Sequence, residues 1–207
     1  MTTLETLKAL LAGNTLSEDD ASDLFERCFA GELEEAQLAS ALSLIQSRGP
    51  TIDELTGAAK VMRSHATPVP VPDDPNAAII DTCGTGGAPK TFNISTAAAI
   101  VAAAASPHHD SMNSDAAGEN GVRVLVAKHG NRSRTGRGSA EVLAQLGVNI
   151  DAPPQVQGAC LEEAGVCFCF AIRHHPAAKH AAAVRKALAF PTMFNLLGPM
   201  TNPAAAP

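Results

Sequence analysis

Tryptophan and tyrosine are absent from the 207-residue chain, and its seven phenylalanines are the only aromatic side chains. Platforms for stacking nucleic-acid bases, and aromatic sugar-binding surfaces, have almost nothing to be built from. Positive charge is also in deficit: 15 Lys and Arg face 21 Asp and Glu, for a net charge of -6. That is the wrong sign for a general phosphate-backbone binder, so any phosphate must be held locally and no nucleic-acid partner is expected. The five cysteines, at 28, 83, 160, 167 and 169, are odd in number and show no C-x-x-C spacing. This argues against a disulfide framework and a sequence-coded zinc site, and it fits a reducing cytoplasm. The N-terminus, MTTLETLKALLAG, lacks a basic start followed by a long apolar stretch, so no signal peptide is read there. The longest apolar run, Ala97 to Ala105, is about half of a bilayer span, which leaves no membrane role.

What is present is 45% apolar residues, enough for one substantial core or two small ones, rich in Ala. The first 66 residues predict four short helices. Leu4, Leu7, Leu10 and Leu11 are expected on one face of the first. Ser17 with Asp20 caps a second, which carries Ala21, Leu24, Phe25, Cys28 and Phe29 until Gly31 stops it. A third carries Leu38, Leu42 and Ile45 to Gly49-Pro50, and Thr51 with Glu54 caps a fourth. TPVPVPDDP, from Thr67 to Pro75, cannot continue a helix because its prolines lack amide donors. The domain division expected is therefore a helical domain over 1–66, a Pro-rich linker over 67–76 and an α/β domain over 77–207.

In that α/β domain, Ala77 to Ile80, Val122 to Ala127 and Val166 to Ala171 read as buried strands. The intervening helices are placed from near Ser95, over Ser139 to Leu146, and around Gln155 to Ala164. Alternation of strand and helix implies a parallel sheet, incomplete at three strands.

Chemistry concentrates in two loops. Asp81-Thr82-Cys83-Gly84-Thr85-Gly86-Gly87 follows the first strand, and Asn93-Ile94-Ser95-Thr96 opens the next helix. Glycines let successive amides turn inward around an anion, and a helix N-terminus adds free N–H groups and the positive end of its dipole. Neither the Walker pattern nor G-x-G-x-x-G is present. The second loop, read from Lys128 to Ser139, gathers Lys128, Arg132, Arg134 and Arg137 at the carboxyl end of a strand, where open α/β sheets bind ligands.

DTCGTGG, NISTAAA, VAKHGNRS, GSAEVL, RHHPAAKH and FNLLGPMTNP, in that order over Asp81 to Pro203, resemble anthranilate phosphoribosyltransferase. The helical start and its linker are similar to that family's small N-terminal domain. The fold implied is a helical bundle plus an incomplete parallel-sheet domain of the nucleoside phosphorylase and phosphoribosyltransferase type. The activity implied is transfer of phosphoribosyl from phosphoribosyl pyrophosphate to anthranilate, releasing pyrophosphate, in tryptophan synthesis. Magnesium is the implied cofactor, and a homodimer the implied assembly.

By the same resemblance Gly84, Gly87, Thr91, Asn93, Ser95, Thr96, Lys128 and Ser139 contact phosphoribosyl pyrophosphate, Ser95 also binding magnesium. Gly84, His129, Asn131 and Arg185 contact anthranilate, with Arg185 on its carboxylate. No residue supplies a catalytic nucleophile. The chain departs from the family in three places. The GTGG to NIST and KHGNRS to GSAE spacings are each one residue short. Ser106 to Gly121 reads as a polar surface insertion, with His108, His109 and Asp110 as its candidate metal ligands. Family members continue beyond NLLGP-TNP to an adjacent Asp-Glu magnesium pair, so this chain is read as an N-terminal portion. Glu162-Glu163, on a surface helix, does not replace that pair. A pyrimidine nucleoside phosphorylase and a non-catalytic nucleic-acid binder on the same scaffold are the alternatives.

Overall fold

A computed structural model describes residues 1–85, 92–106, 122–133 and 136–207. Its chain packs as two units. The first joins Met1–Ala66 to His175–Thr201, and the second is built mainly from Thr67–Gly84, Ala88–His174 and Asn202–Pro207. By packing, therefore, His175–Thr201 goes with the N-terminal helices, although it lies within the stretch assigned to the α/β domain from the sequence.

In the first unit, α1 (Thr3–Leu11), α2 (Glu18–Ala30), α3 (Glu35–Arg48) and α4 (Ile52–Ser64) form in the order expected, α2 and α4 at the caps read from the sequence. The Ser17 hydroxyl accepts from the Asp20 amide, Thr51 and Glu54 complete a capping box, and Gly31 ends α2 at φ 75°. One expectation fails on α1. Leu10 is buried and Leu7 half-buried, but Leu4 and Leu11 are 61% and 75% exposed, because Thr6 turns inward with Leu10.

Gly57 lets α4 close on α2: a Cβ there would lie 2.3 Å from the Glu18 carbonyl oxygen. Beneath them Phe25, Phe29, Leu42 and Ile45 pack with Val184 and Phe194, from two helices the sequence did not disclose, α9 (Lys179–Leu188) and α10 (Phe194–Met200). The Phe194 ring lies 5.5 Å from Phe25 and 6.2 Å from Phe29. Glu54 is fully buried, and its carboxylate accepts from the Leu16 and Thr51 amides at 2.9 Å and from the Arg48 guanidinium.

The second unit is a parallel sheet in the order β1 (Ala77–Ile80), β2 (Arg123–Gly130), β3 (Val166–Phe170). One face, with Ile79, Leu125, Ala127, Cys167 and Cys169, is covered by Leu161 of α7 (Pro154–Ala164) together with Val69 and Ala204. On the other, Val126 packs against Ala99 and Ala103 of α5 (Ile94–Ala105), and Phe168 against Ala140 and Leu143 of α6 (Ser139–Gln145). The short α8 (Ala171–His174) follows β3. The Pro-rich stretch lies against this unit. Two of its amides are anchored there, Thr67 N donating to the His174 carbonyl at 2.8 Å and Val69 N to the Pro203 carbonyl at 3.0 Å.

Candidate functional site

At the carboxyl end of β1 the chain turns on Asp81, which the motif contains but to which the sequence reading gave no role. Its Oδ1 accepts the Cys83 amide at 2.9 Å and the His129 amide at 3.1 Å, and its Oδ2 accepts Asn202 Nδ2 at 2.8 Å. Asn202 Nδ2 also donates to the Ala127 carbonyl at 2.7 Å, while its Oδ1 accepts the Ala204 amide at 2.8 Å. One carboxylate and one amide thus fasten the end of β1, the end of β2 and the TNP segment together. Burial, and then the neighbouring Asp81 carboxylate, push the Cys83 thiol up to about 12.

The Thr82 hydroxyl donates to the Ser95 carbonyl at 2.7 Å, tying this turn to the first turn of α5. That turn carries no side-chain cap from Asn93 and no acidic residue. Its leading amides and positive dipole end are left for an anion. Ser95 is half-buried beside it, and the buried Thr96 hydroxyl oxygen has no hydrogen-bond partner among the described residues. Gly84 is exposed, whereas Gly87 and Thr91 lie outside the described residues, as do His108, His109 and Asp110.

The second loop starts later than expected. Lys128, His129 and Gly130 belong to β2 and pair with Phe168, Cys169 and Phe170, which holds Lys128 and His129 at 3% exposure. The irregular part begins at Asn131, whose side-chain oxygen accepts the Arg132 amide at 2.8 Å. Arg132 is exposed, its guanidinium 5.6 Å from the centre of the Phe170 ring. Glu141 of α6 holds the loop from below, accepting the Ser133 amide at 3.0 Å, and Ser133 Oγ accepts the Arg137 amide at 2.8 Å. A Cβ on Gly138 would lie 2.6 Å from the Glu141 carboxylate and 2.9 Å from the Ser133 nitrogen. Ser139, 8% exposed, opens α6 at this point. A cavity of about 500 Å³ is lined by Phe92, Asn93, Arg137 and Glu141, so the NIST turn and the basic loop face one space.

Arg185 lies on α9 in the first unit, its guanidinium 4.8 Å from the centre of the Phe194 ring. Burial holds its pKa below the usual guanidinium range, and among the described residues it has no carboxylate partner. His174 is fully buried, with Nδ1 2.7 Å from the Thr67 carbonyl oxygen, which gives it a packing role. Asp81, Asn202 and Glu141 are the residues that sequence reasoning missed. The NP and GSAE motifs that contain the last two were visible, but their partners are distant along the chain.

The chain matches the model of the glycosyl transferase family helical bundle domain over residues 4–66, and that of the glycosyl transferase family a/b domain over 76–109 and 111–207. It is 46% identical to anthranilate phosphoribosyltransferase of Caulobacter vibrioides over 97% of this chain and 53% of that protein. The identity is likewise 46% with the Methanosphaerula palustris enzyme, over 98% of this chain and 55% of that one. Among solved structures, anthranilate phosphoribosyltransferase from Thermus thermophilus superposes with a TM-score of 0.78 at 38% identity, covering 97% of this chain and 56% of that one. The Saccharomyces cerevisiae enzyme in complex with PRPP and Mg shares the fold, with a TM-score of 0.75 at 24% identity over 98% of this chain and 55% of that one. The chain thus spans about half the length of the relatives it matches. Its helical bundle, its parallel α/β sheet and the ordered motifs at the sheet's carboxyl end show that the chain belongs to the glycosyl transferase family.

Proposed function

We propose that the chain provides the helical domain and the phosphoribosyl-pyrophosphate-binding loops of an anthranilate phosphoribosyltransferase. One observation carries this reading. The Thr82–Ser95 and Asp81–His129 bonds bring a helix N-terminus without a side-chain cap from Asn93, the turn at Thr82–Gly84 and the buried cation Lys128 to the same end of one sheet. These are the parts needed to hold a multiply charged phosphate ester in an otherwise acidic protein. Gly84, Gly87, Thr91, Asn93, Ser95, Thr96, Lys128 and Ser139 would contact the donor. Gly84, His129, Asn131 and Arg185 would contact anthranilate, with Arg185, which has no carboxylate partner among the described residues, taking its carboxylate.

In the reaction the amine nitrogen of anthranilate bonds to the anomeric carbon and the carbon–oxygen bond to pyrophosphate breaks. The electron pair leaves on the phosphate oxygen and the nitrogen sheds a proton. No protein nucleophile takes part. The chain orients two reactants and offsets the charge that builds on the departing diphosphate, through the α5 amides and Lys128. The hydroxyl of Ser95, beside the orphaned Thr96 hydroxyl, is a hard oxygen donor of the kind magnesium accepts when phosphates fill most of its shell. Magnesium bound there would neutralise the leaving group. On the same resemblance the working enzyme is a cytoplasmic homodimer, and 1–66, 67–76 and 77–207 are its helical domain, linker and α/β domain. The family matches over 4–66 and 76–207 support that division.

Thermal unfolding of the 207-residue chain with phosphoribosyl pyrophosphate and magnesium tests this. Ligand at about 100 times Kd adds about 2.7 kcal/mol, or about 5–11 °C in Tm for a protein of this size. Lys128→Ala should abolish most of the rise, and Arg132→Ala, altering an exposed side chain, less of it. Arg185→Ala should lose anthranilate but keep the donor. No rise at millimolar donor overturns the reading.

A further inference from the structure

The carboxyl ends of β1 and β2 bring together three chemically different donors, two from the turn after β1 and one that lies 48 positions beyond Asp81. A carboxylate oxygen of Asp81, the Cys83 sulfur and a ring nitrogen of His129 all lie within 4.8 Å of one another. His129 is buried, and Asp81 and Cys83 are half-buried. A carboxylate offers about four lone-pair positions. Three at Asp81 are taken by the Cys83 amide, the His129 amide and Asn202 Nδ2. The Cys83 sulfur lies beside the same carboxylate.

We propose that Asp81, Cys83 and His129 form a binding site for a thiophilic divalent cation of the zinc class, separate from the magnesium position at Ser95. The ion replaces the thiol proton: sulfur bonds to the metal as thiolate, the proton passes to water, and nothing is oxidised or reduced. Zinc bonds of about 2.0 Å to oxygen and nitrogen and 2.3 Å to sulfur put donor atoms about 3.4 Å apart. Ligation therefore draws the three in by at most about 1.4 Å. Three protein ligands leave a fourth position for water. Sulfur and imidazole select such an ion over magnesium, which prefers oxygen alone.

The three hydrogen bonds of Asp81 are the second shell such a site needs. They fix the carboxylate through the Asn202 amide and two backbone amides without using the last lone pair. Spacing rules for zinc sites look for ligands close in sequence. Here the parallel pairing of β1 with β2 supplies the proximity instead, which is why the cysteine pattern gave no sign of it.

Cobalt(II) is the probe. Titrated into the 207-residue chain under reducing conditions, it should give a sulfur-to-cobalt charge-transfer band and tetrahedral visible bands saturating at one equivalent. Zinc should erase these bands, a 100-fold excess of magnesium should not, and one proton should be released per ion bound. Cys83→Ser should remove the charge-transfer band, and His129→Gln should lower cobalt affinity on the order of 100-fold. Cys160→Ser, at the exposed thiol on α7, should change neither. Should Cys83→Ser fail to fold, as judged by circular dichroism, His129→Gln carries the test. A wild-type chain without the band, a band that survives in folded Cys83→Ser, unaltered affinity in His129→Gln, or loss in Cys160→Ser would each overturn the site.

Discussion

Asp81→Asn removes one charge and no heavy atom, yet the geometry around Asn202 leaves the new amide no good orientation. With its oxygen kept on the Cys83 and His129 amides, the new NH₂ faces Asn202 Nδ2, donor against donor. Turning the new amide over puts NH₂ against two backbone N–H groups. Turning Asn202 instead brings its oxygen onto the Ala127 carbonyl and its NH₂ onto the Ala204 amide. The two backbone bonds that survive lose their charge assistance, about 0.5–1 kcal/mol each, and the donor clash costs about 1–3 kcal/mol. Asp81 is half-buried, which places the total near the lower end, about 2 kcal/mol, or about 4–8 °C in Tm. Thermal and denaturant unfolding of Asp81→Asn, Asn202→Ala and the double variant form the assay. Asn202→Ala should cost much less in the Asp81→Asn background than in the native one, because the Asp81–Asn202 hydrogen bond is already gone there and removing Asn202 relieves the clash. Additive effects, or an Asp81→Asn change below about 0.5 kcal/mol, would refute the claim that this pair fastens the strand ends.

Glu54 sets an acid limb on stability. Burial opposes its ionisation, but the bonds from Arg48, Leu16 and Thr51 outweigh that and hold its pKa below the ordinary carboxylate value. The stability it contributes is full above about pH 4.3 and is lost as pH falls through the lower, folded-state value. Glu54→Gln should destabilise the chain by about 3 kcal/mol at pH 7 and flatten the acid limb of the profile, and superimposable profiles would contradict the pairing. Gly138→Ala, forced against the Glu141 carboxylate and the Ser133 nitrogen, should cost about 1–3 kcal/mol by chemical denaturation. It should also weaken donor binding, and a neutral result would mean the loop does not rest on Glu141.

The helical start was legible because its signals are local. Ser17, Gly31, Thr51 and Glu54 act within three or four residues of themselves, and the structure uses each as the sequence suggests. Strand β1 was legible from an apolar run, but β2 was cut short because Lys128 and His129 read as loop residues although the sheet buries them. α9 and α10 were missed for a different reason. Alanine dominates the first, Ala189 ends it at φ 58°, and Pro199 lies inside the second. Motif order pointed to the turn after β1, the NIST helix start and the loop after β2. What holds them was not legible, since Asp81 meets Asn202 across 121 positions and Ser133 meets Glu141 through a fold-back.

The Phe25–Phe194 contact has a bearing on synthesis. The two rings are 5.5 Å apart in one core but 169 positions apart along the chain. At about 5–20 residues per second, a ribosome delivers the second ring roughly 8–34 s after the first. During that interval the four leading helices leave the exit tunnel with the apolar seat for α9 and α10 still uncovered. Their unit closes only when translation has passed the second.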